Sequence, residues 1–371
     1  MIQPELFIEL LRNEGVDFFT GIPDSLLKSL CAYITDNVDT KNHIIAANEG
    51  GAVALAAGYH LSTGKIGCVY MQNSGEGNAI NPLLSLVDKD VYNIPVLLII
   101  GWRGEPGTKD EPQHIKQGKV TLSLLDSMGI NYDILDESWQ EQTIKALHEI
   151  KETNGVYALI VRKGIFDEYK LSAPKNNDFA LSREEAIHIV VNQHSDNDII
   201  VSTTGMISRE LFEYRTAHNQ GHEKDFLTVG SMGHASQIAL SIAIQKPEQQ
   251  VYCFDGDGAV IMHLGGMAIV GQIAPQKFIH IVFNNGAHDS VGGQPTIGLD
   301  INLVEIAKAC GYKSAFSAQT KDEILLALKE MANVVGPHFL EIKVRKGARP
   351  NLGRPTTTPI ENKQVFMKNL Q

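Results

Sequence analysis

Two short motifs combine residue types that could hold a divalent metal beside a phosphate. The triplet GDG at 256–258 follows the apolar segment VYCFD (251–255), and the pair NN at 284–285 follows the similar segment KFIHIVF (277–283). If both segments are strands of one parallel sheet, their carboxyl ends lie at one edge, where ligands bind. Carboxylate and amide oxygens suit magnesium, which usually also takes oxygens from a bound phosphate.

The residues around these motifs divide into metal ligands and phosphate donors. Asp257 and Asn284 are the predicted side-chain ligands of the metal, and the backbone carbonyl of Gly286 is a third candidate. The glycines let the backbone approach a diphosphate closely, and amides at the start of the following helix would point at it. This predicts a diphosphate-binding segment formed by Gly256, Asp257, Gly258 and Ala259.

A carboxyl group opens an unusually small-residue helix in the segment ANEGGAVALAAGYHLSTG (47–64). An acid such as Glu49 in a first helical turn is common, because the helix dipole favours it. Here the richness in alanine and glycine would also let another helix or a cofactor approach closely.

Basic side chains are concentrated in GWRGEPGTKDEPQHIKQGK (101–119), directly after an apolar strand pattern. Two prolines and four glycines predict a shaped loop rather than a helix here. A solvated charge run explains Lys116 well, but it explains Arg103, beside Trp102 at the strand end, less well. The same segment contains Lys109 and His114.

Two further turns contain side chains that could move protons or bind a substrate. TGIPDSLLK (20–28) puts Asp24 and Ser25 at a strand end, although a structural turn around Pro23 is an equally good explanation. His288 lies directly beyond the predicted metal ligands, and a histidine can titrate near neutral pH.

Short apolar strands alternate with helical patterns along the whole chain, which predicts parallel sheets covered on both faces. The predicted strands are 16–21, 43–47, 67–72, 95–100, 131–135, 156–161, 198–203, 250–255, 278–283, 313–317 and 338–344. We predict a first domain at 1–165, a polar linker at 166–181 and a second domain at 182–371 that ends in an irregular tail. Ser182 and Glu185 have the spacing of a capping box at the start of the second domain.

The overall composition limits the partners and the compartment. A net charge of −11 over 371 residues argues against a nucleic-acid or anionic-membrane partner. The longest apolar run, 95–100, is far shorter than the roughly 20 residues needed to span a bilayer. The N-terminal segment 1–15 has the pattern of an amphipathic helix rather than a signal peptide. Four scattered cysteines without a CxxC pair are expected to be buried thiols in a reducing cytoplasm.

The segments GIPDS, ANEGGAVALAAGYH, MQNSGEGNAINPLLSL, GWRGEPGTKDEPQH and NNGAHDSVGGQPT resemble the two-domain thiamine-diphosphate-dependent decarboxylases. The resemblance covers nearly the whole chain, with Ala259 as a small departure. It implies two tandem doubly wound α/β domains with parallel sheets, one binding the pyrimidine and one the diphosphate and Mg²⁺, without a middle domain. It also implies a homodimer or larger homo-oligomer, with active sites at the subunit interface.

The same resemblance assigns roles to individual residues. Glu49 would hydrogen-bond the pyrimidine nitrogen of thiamine diphosphate and so promote loss of the thiazolium proton. Met232 would support the bent conformation of the cofactor. Thr204 and Gly205, which end another strand pattern, would contact the diphosphate, although a capped turn explains them about as well.

The implied reaction is decarboxylation of 3-phosphonopyruvate to phosphonoacetaldehyde and CO2, as in biosynthesis of 2-aminoethylphosphonate-type compounds. Arg103 is the leading candidate for binding the phosphonate, because a guanidinium offers bidentate geometry. The other substrate-binding candidates are Ser25, Lys109 and Lys116, and the candidate proton carriers are Asp24, His114 and His288.

Three alternatives stay open. The first is decarboxylation of the sulfonate analogue; there we expect the domains often to be separate subunits, so that a continuous chain favours the phosphonate. The second is a carboligase, although such enzymes normally carry a middle domain. The third is a non-catalytic subunit that binds thiamine diphosphate; it need not keep Glu49 together with Asp257 and Asn284.

Overall fold

A computed structural model describes residues 1–172, 178–195 and 197–371 of the protein. The chain forms two compact units, Met1–Pro174 and Lys175–Gln371. Each unit contains one six-stranded parallel sheet, so the predicted class of two doubly wound α/β domains without a middle domain is confirmed. Part of the predicted linker, at 173–177, lies outside the described residues.

Unit 1 alternates strands and helices. Its strands are β1 (Phe18–Gly21), β2 (His43–Ile45), β3 (Gly67–Gln72), β4 (Val96–Gly101), β5 (Asn131–Ile134) and β6 (Val156–Val161). Its helices are α1 (Pro4–Asn13), α2 (Lys28–Asn37), α3 (Glu49–Thr63), α4 (Glu76–Pro82), α5 (Pro112–Ser127) and α6 (Trp139–Thr153). A 3₁₀ turn at Asn73–Gly75 precedes α4, and a π-helical turn at Leu83–Val87 follows it.

The sheet of unit 1 has the strand order β2-β1-β3-β4-β6-β5, so its central strands are β3 and β4. Both strands are buried along almost their whole length, as their continuous apolar runs predict. One face packs against α1, α2 and α6 in a core that includes Phe7, Leu30 and Leu147. The carboxyl ends of β1, β3 and β4 therefore lie side by side at one edge.

Unit 2 repeats the architecture with its own elements. Its strands are β7 (Ile199–Ser202), β8 (Asp225–Leu227), β9 (Val251–Gly256), β10 (Phe278–Asn284), β11 (Ser314–Ala318) and β12 (His338–Lys343). Its helices are α7 (Arg183–Val191), α8 (Met206–Ala217), α9 (Ala235–Gln245), α10 (Asp257–Met262), α11 (Gly265–Ile273), α12 (Leu303–Cys310), α13 (Lys321–Met331) and α14 (Pro359–Leu370).

The strand order of unit 2 is β11-β12-β10-β9-β7-β8, with hydrophobic clusters on both faces. β9 and β10 are direct neighbours, and their register pairs Gly256 with Phe283. The two motifs that follow these strands therefore begin at the same edge of the sheet. The predicted capping box at the start of α7 is present, with Ser182 and Glu185 exchanging their hydrogen bonds.

The structure corrects two local predictions. The basic segment at 101–119 is not wholly a loop, because α5 begins at Pro112, where a proline ring fits the first helical position. Gly118 permits close packing, since a Cβ there would collide with the backbone of Gly104. The C-terminal tail is also partly helical, because Thr358 caps α14 and Phe366 packs against Phe226.

The structure also shows the state of the cysteines and the character of the helices. All four cysteines are free thiols; Cys31, Cys68 and Cys253 are buried, and Cys310 is half-buried. Among the described residues, no helix combines the length and the apolar character needed to cross a bilayer.

Candidate active site

Glu49 is held at the start of α3 in a closed environment. Asn48 caps the helix by accepting a hydrogen bond from the Gly51 amide at 2.9 Å. The side chain of Glu49 is only 5% exposed, and its Oε2 accepts a hydrogen bond from Asn78 Nδ2 at 2.7 Å. Burial raises the pKa of this carboxyl above its ordinary value, although the hydrogen bond from Asn78 opposes the shift.

The other side of the Glu49 carboxyl faces the backbone of Gly75. A Cβ at Gly75 would lie within 2.5 Å of Glu49 Cδ, so any larger residue would displace the carboxyl. Gly75 ends the 3₁₀ turn after β3, and Asn78 lies in the first turn of α4. The segment after β3 therefore encloses the carboxyl from two directions and shields it from solvent, which is the physical cause of its raised pKa.

Arg103 follows β4 and is fixed by acidic and hydroxyl partners. Its Nε donates to Asp110 Oδ2 at 2.8 Å, and its Nη2 donates to Asp110 Oδ1. Its Nη1 donates to Ser25 Oγ at 2.7 Å, and Asn73 hydrogen-bonds to its backbone N–H and carbonyl. Three of the five N–H groups of the guanidinium are thus engaged, and its side chain is 18% exposed.

Asp110 is the internal counter-ion of this arginine. Burial raises the pKa of Asp110, but the hydrogen bonds from Arg103 and from the amides of Glu111 and Gly104 hold it well below its ordinary value. Asp110 therefore stays ionised and orients the guanidinium. The sequence motif contained this aspartate, but nothing in its spacing marked it as the partner of Arg103.

Asp24 is fully buried and holds a turn at the end of β1. Its Oδ2 accepts the amides of Leu26 at 2.9 Å and Leu27 at 3.3 Å, and its Oδ1 accepts a hydrogen bond from Gln72. Burial raises its pKa despite these donors. A Cβ at Gly101 would collide with Asp24 Oδ2, which shows how closely β4 passes this carboxyl.

His114 and the two predicted lysines have contrasting positions. His114 is 8% exposed on the first turn of α5, and its Nδ1 has no partner among the described residues. Burial, followed by the charge of Arg103, lowers its pKa, so the imidazole is neutral at pH 7. Lys109 and Lys116 are exposed, on the loop before α5 and on α5 itself.

In unit 2, Asp257 and Asn284 converge as their strand positions predict. A Cβ at Gly298 would lie 2.6 Å from Asp257 Oδ2 and 2.9 Å from Asn284 Oδ1, so both oxygens face the same small region. Asn284 Nδ2 donates to Gly298 O and to Glu341 Oε1, both at 2.7 Å, which fixes the amide with its oxygen on the Asp257 side.

The donor set at this edge fits a small divalent cation. Burial raises the pKa of Asp257 to about 6, opposed by a hydrogen bond from Thr296. A bound cation would favour the ionised carboxylate. The carbonyl of Gly286, the third candidate ligand, accepts the Thr296 amide at 3.0 Å and has a second lone pair available. These three oxygens would hold Mg²⁺ beside a phosphate.

Two of the predicted cofactor residues of unit 2, Gly258 and Met232, lie close together and next to His288. A Cβ at Gly258 would be 3.0 Å from His288 Cε1 and 3.5 Å from Met232 Cε. Gly205 has a φ of +99°, and a Cβ there would be 3.8 Å from Ser290, so the loop after β10 reaches the start of α8. Burial lowers the pKa of His288 to about 4.

Thr204 and Ala259 occupy the turns that begin the neighbouring helices. Thr204 lies in the turn between β7 and α8, and Ala259 is buried in α10. The amide of Thr203 bonds to Phe254 O at 2.8 Å, which joins the end of β7 to β9.

A buried ionic network that the sequence did not reveal fixes the loop after β10. Arg183 donates through Nε and Nη2 to Glu210, at 2.8 and 2.9 Å, and through Nη1 to Asp289 at 3.0 Å. Asp289 also accepts from Asn285 Nδ2 at 2.6 Å and from the Gly347 amide at 3.0 Å. In the sequence, Arg183 is simply the first residue after the predicted helix cap Ser182, and no local pattern indicates that it pairs with Glu210 and Asp289.

Comparison with known proteins matches a different family domain to each of the two units. Residues 4–125 match the thiamine pyrophosphate enzyme N-terminal TPP binding domain, and residues 203–342 match the corresponding C-terminal TPP binding domain. Phosphonopyruvate decarboxylase from Streptomyces viridochromogenes is 33% identical, over 96% of this chain and 92% of the relative. Phosphonopyruvate decarboxylase from Streptomyces hygroscopicus is 32% identical, over 99% of this chain and 93% of the relative. Sulfopyruvate decarboxylase from Methanosarcina acetivorans is 26% identical, over 99% and 97%.

Proposed function

The chain belongs to the thiamine pyrophosphate enzymes, and on that premise we propose that it decarboxylates 3-phosphonopyruvate to phosphonoacetaldehyde and CO2. The observation that carries this proposal is the identity of 33% and 32% to two phosphonopyruvate decarboxylases over nearly the full chain. The sulfopyruvate decarboxylase that matches over the same length is 26% identical. The proposed cofactors are thiamine diphosphate and Mg²⁺.

Thiamine diphosphate, when bound, supplies the nucleophilic carbon and the electron sink for the pair that remains when CO2 leaves. The carboxyl of Glu49 would donate to or accept from the pyrimidine ring nitrogen, and its burial supports this role. Asp257, Asn284 and the Gly286 carbonyl would hold the Mg²⁺ that binds the diphosphate. The nearby diphosphate contacts proposed from the sequence are Thr204, Gly205, Gly256, Gly258 and Ala259, and Met232 would support the cofactor.

Arg103 is the proposed anchor of the phosphonate. Among the described residues, Asp110 and Ser25 engage three of the five N–H groups of the guanidinium. Two N–H groups therefore remain for a substrate oxyanion. Since Asp110 already fixes the guanidinium plane, less rotational freedom is lost when the anion binds. Ser25 would assist at the same place, and exposed Lys109 and Lys116 are proposed as secondary, electrostatic contributors.

The nearest alternative is a sulfopyruvate decarboxylase. We expected a continuous chain to favour the phosphonate, but the Methanosarcina acetivorans relative matches along 97% of its own length and carries both halves in one chain. Chain continuity therefore does not separate the two substrates. The preference for phosphonopyruvate therefore rests on sequence identity, which is 33% and 32% to the two phosphonopyruvate decarboxylases and 26% to the sulfopyruvate decarboxylase.

The test is CO2 release by the purified protein with Mg²⁺ and thiamine diphosphate on phosphonopyruvate, sulfopyruvate and pyruvate at equal concentration. We expect kcat/KM to favour phosphonopyruvate by about tenfold or more, which corresponds to about 1.4 kcal/mol in transition-state stabilisation. A preference for sulfopyruvate would contradict the proposed substrate. Release from none of them would favour the carboligase or the non-catalytic subunit.

We further propose a homodimer or larger homo-oligomer in the cytoplasm, with each active site completed by two chains. The free cysteines support a reducing compartment. Mixing inactive Glu49→Gln chains with inactive Asp257→Asn chains tests the shared site, because hybrid oligomers would regain one intact site. Refolded mixtures that stay inactive, while a wild-type mixture recovers, would contradict it.

A further inference from the structure

Glu76 is a second buried carboxyl of unit 1, on the helix α4 whose first turn contacts Glu49. Its side chain is 3% exposed, and its Oε1 has no hydrogen-bond partner among the described residues. Glu76 follows Gly75, which touches the Glu49 carboxyl, and lies two residues before Asn78, which donates to it. Glu76 therefore begins the turn of α4 that encloses Glu49.

The surroundings of Glu76 lack compensating charges. Burial alone raises the pKa of Glu76 to about 8, with no contribution from a charged neighbour among the described residues. Glu49 is the titratable group that faces α4 from α3, and the flanking turns at 73–75 and 83–87 contain no titratable side chain. A buried polar atom without a partner is costly, and such perturbed groups concentrate at functional sites.

The proposed reaction requires an acid that still carries its proton near neutral pH. His114 and His288 have lowered pKa values, that of His288 about 4, so both imidazoles are neutral there and are poor proton donors. The oxygens of Asp24 accept two backbone amides and the amide of Gln72, so they are already committed to holding the turn. Glu76 has a pKa of about 8, so it is still largely protonated near neutral pH, and its Oε1 accepts no hydrogen bond from the described residues.

We propose that Glu76 donates the proton to the substrate carbon from which CO2 has left, an inference that rests on the proposed decarboxylation. The electron pair on that carbon forms the new C–H bond, while the O–H bond of Glu76 breaks and its electron pair stays on the carboxylate. For the aldehyde to be released, the hydroxyl group on the same carbon would give its proton back to the Glu76 carboxylate and its O–H electron pair would form the C=O bond. The bond between that carbon and the cofactor would break at the same time, and its electron pair would return to the cofactor. The cycle needs no oxidant or reductant.

Glu76→Gln keeps the shape of the side chain but removes the acidic proton. We expect kcat for phosphonopyruvate to fall about tenfold or more, because general acid catalysis typically contributes two or more orders of magnitude. With ferricyanide present as a one-electron oxidant, the unprotonated carbon survives longer, so the ratio of phosphonoacetate to phosphonoacetaldehyde should rise several-fold above that of the wild type. Glu76→Asp retains an acid. It should therefore restore part of kcat and bring the product ratio part of the way back to that of the wild type.

Glu141→Gln on α6 is the matched control, because it removes an exposed glutamate of the same unit. It should match the wild type in rate and in product ratio. A Glu76→Gln protein with wild-type kcat would overturn the assignment, as would a slower protein with an unchanged product ratio, which indicates a structural role. A wild-type protein that releases no CO2 from phosphonopyruvate would instead overturn the proposed function itself.

A measurement on the protein without cofactor tests the same group independently of turnover. Because the pKa of Glu76 is raised from 4.5 to about 8 in the folded state, its contribution to stability is present below pH 4.5 and is lost as the pH rises through 8. The Tm should therefore fall less between pH 5 and pH 8 in Glu76→Gln than in the wild type or Glu141→Gln. Identical pH profiles would overturn the assignment.

Discussion

The Asp110 carboxylate holds the Arg103 guanidinium by two parallel hydrogen bonds, from Nε and from Nη2. Asp110 also accepts the Gly104 and Glu111 amides, at 2.8 and 2.7 Å, so it connects the arginine to the loop that precedes α5. This pairing fixes the orientation of the guanidinium, with one edge turned away from its counter-ion. The N–H groups on that edge are the ones that we propose for binding the phosphonate.

Replacing Arg103 by lysine should raise the KM for phosphonopyruvate about tenfold or more, because an ammonium cannot reproduce the bidentate geometry. The KM for pyruvate, which lacks a second anion, should change much less. Lys119→Arg on the exposed face of α5 is the control, since it alters a cation to which no role in substrate binding is assigned. Equal effects on the two substrates would contradict the assignment of Arg103 to the phosphonate.

Gly75 and Gly77 offer a matched pair of alanine substitutions. A methyl group at Gly75 would meet the Glu49 carboxyl, whereas a methyl group at Gly77 would meet no atom within 4 Å. Gly75→Ala should lower kcat strongly and destabilise the fold by about 1–3 kcal/mol, the usual cost of overpacking. Gly77→Ala should keep activity and stabilise α4 by about 0.5–1 kcal/mol. Similar kinetics for both variants would show that the contact with Glu49 has no catalytic consequence.

The fold was largely predictable because its central strands are buried on both faces. β3 and β6 have the predicted limits, and β9 and β10 agree within one residue at each end. Strand β8 was missed because it has only three residues at the sheet edge, which is too short for an apolar run. Helix α5 was missed because Pro112 and Gly118 are usually signs of a loop.

The arrangement of the candidate site was predictable where its side chains follow the ends of neighbouring parallel strands, and unpredictable where they meet through a loop or through tertiary packing. Asp257 and Asn284 follow neighbouring parallel strands, so their convergence follows from topology. The pairing of Arg103 with Asp110 depends on the path of a glycine-rich loop that periodicity does not encode. The burial of Glu76 likewise depends on tertiary packing.

Gly298→Ala should weaken Mg²⁺ binding about tenfold or more. The added methyl group would lie 2.6 Å from Asp257 Oδ2 and 2.9 Å from Asn284 Oδ1, where the ion would bind. The Mg²⁺ concentration that half-restores activity to metal-free protein measures the loss, and the rise in Tm on adding Mg²⁺ measures it without turnover. Gly265→Ala, with open space around the new methyl group, is the control. An unchanged Mg²⁺ requirement would contradict the metal site.

Arg183→Met should destabilise the protein by about 3–5 kcal/mol, because it leaves the buried Glu210 carboxylate without its counter-ion and removes a partner of Asp289. Arg345→Met removes an ion pair with Glu185 in which both side chains are about half exposed, and should cost under about 1 kcal/mol. Urea denaturation followed by circular dichroism compares the two. Equal losses would mean that the network around Asp289 contributes no more than a surface pair.

Glu49→Gln should nearly abolish CO2 release while binding of thiamine diphosphate and Mg²⁺ remains measurable by calorimetry. The amide keeps the size of the side chain but cannot exchange a proton with the pyrimidine nitrogen. Because burial raises the pKa of Glu49 in the folded state, its contribution to stability is present below its ordinary pKa and is lost as the pH rises through the raised value. The Tm of cofactor-free Glu49→Gln should therefore fall less with rising pH than that of the wild type. Full activity in this variant would rule out the proposed role of Glu49, whatever the substrate.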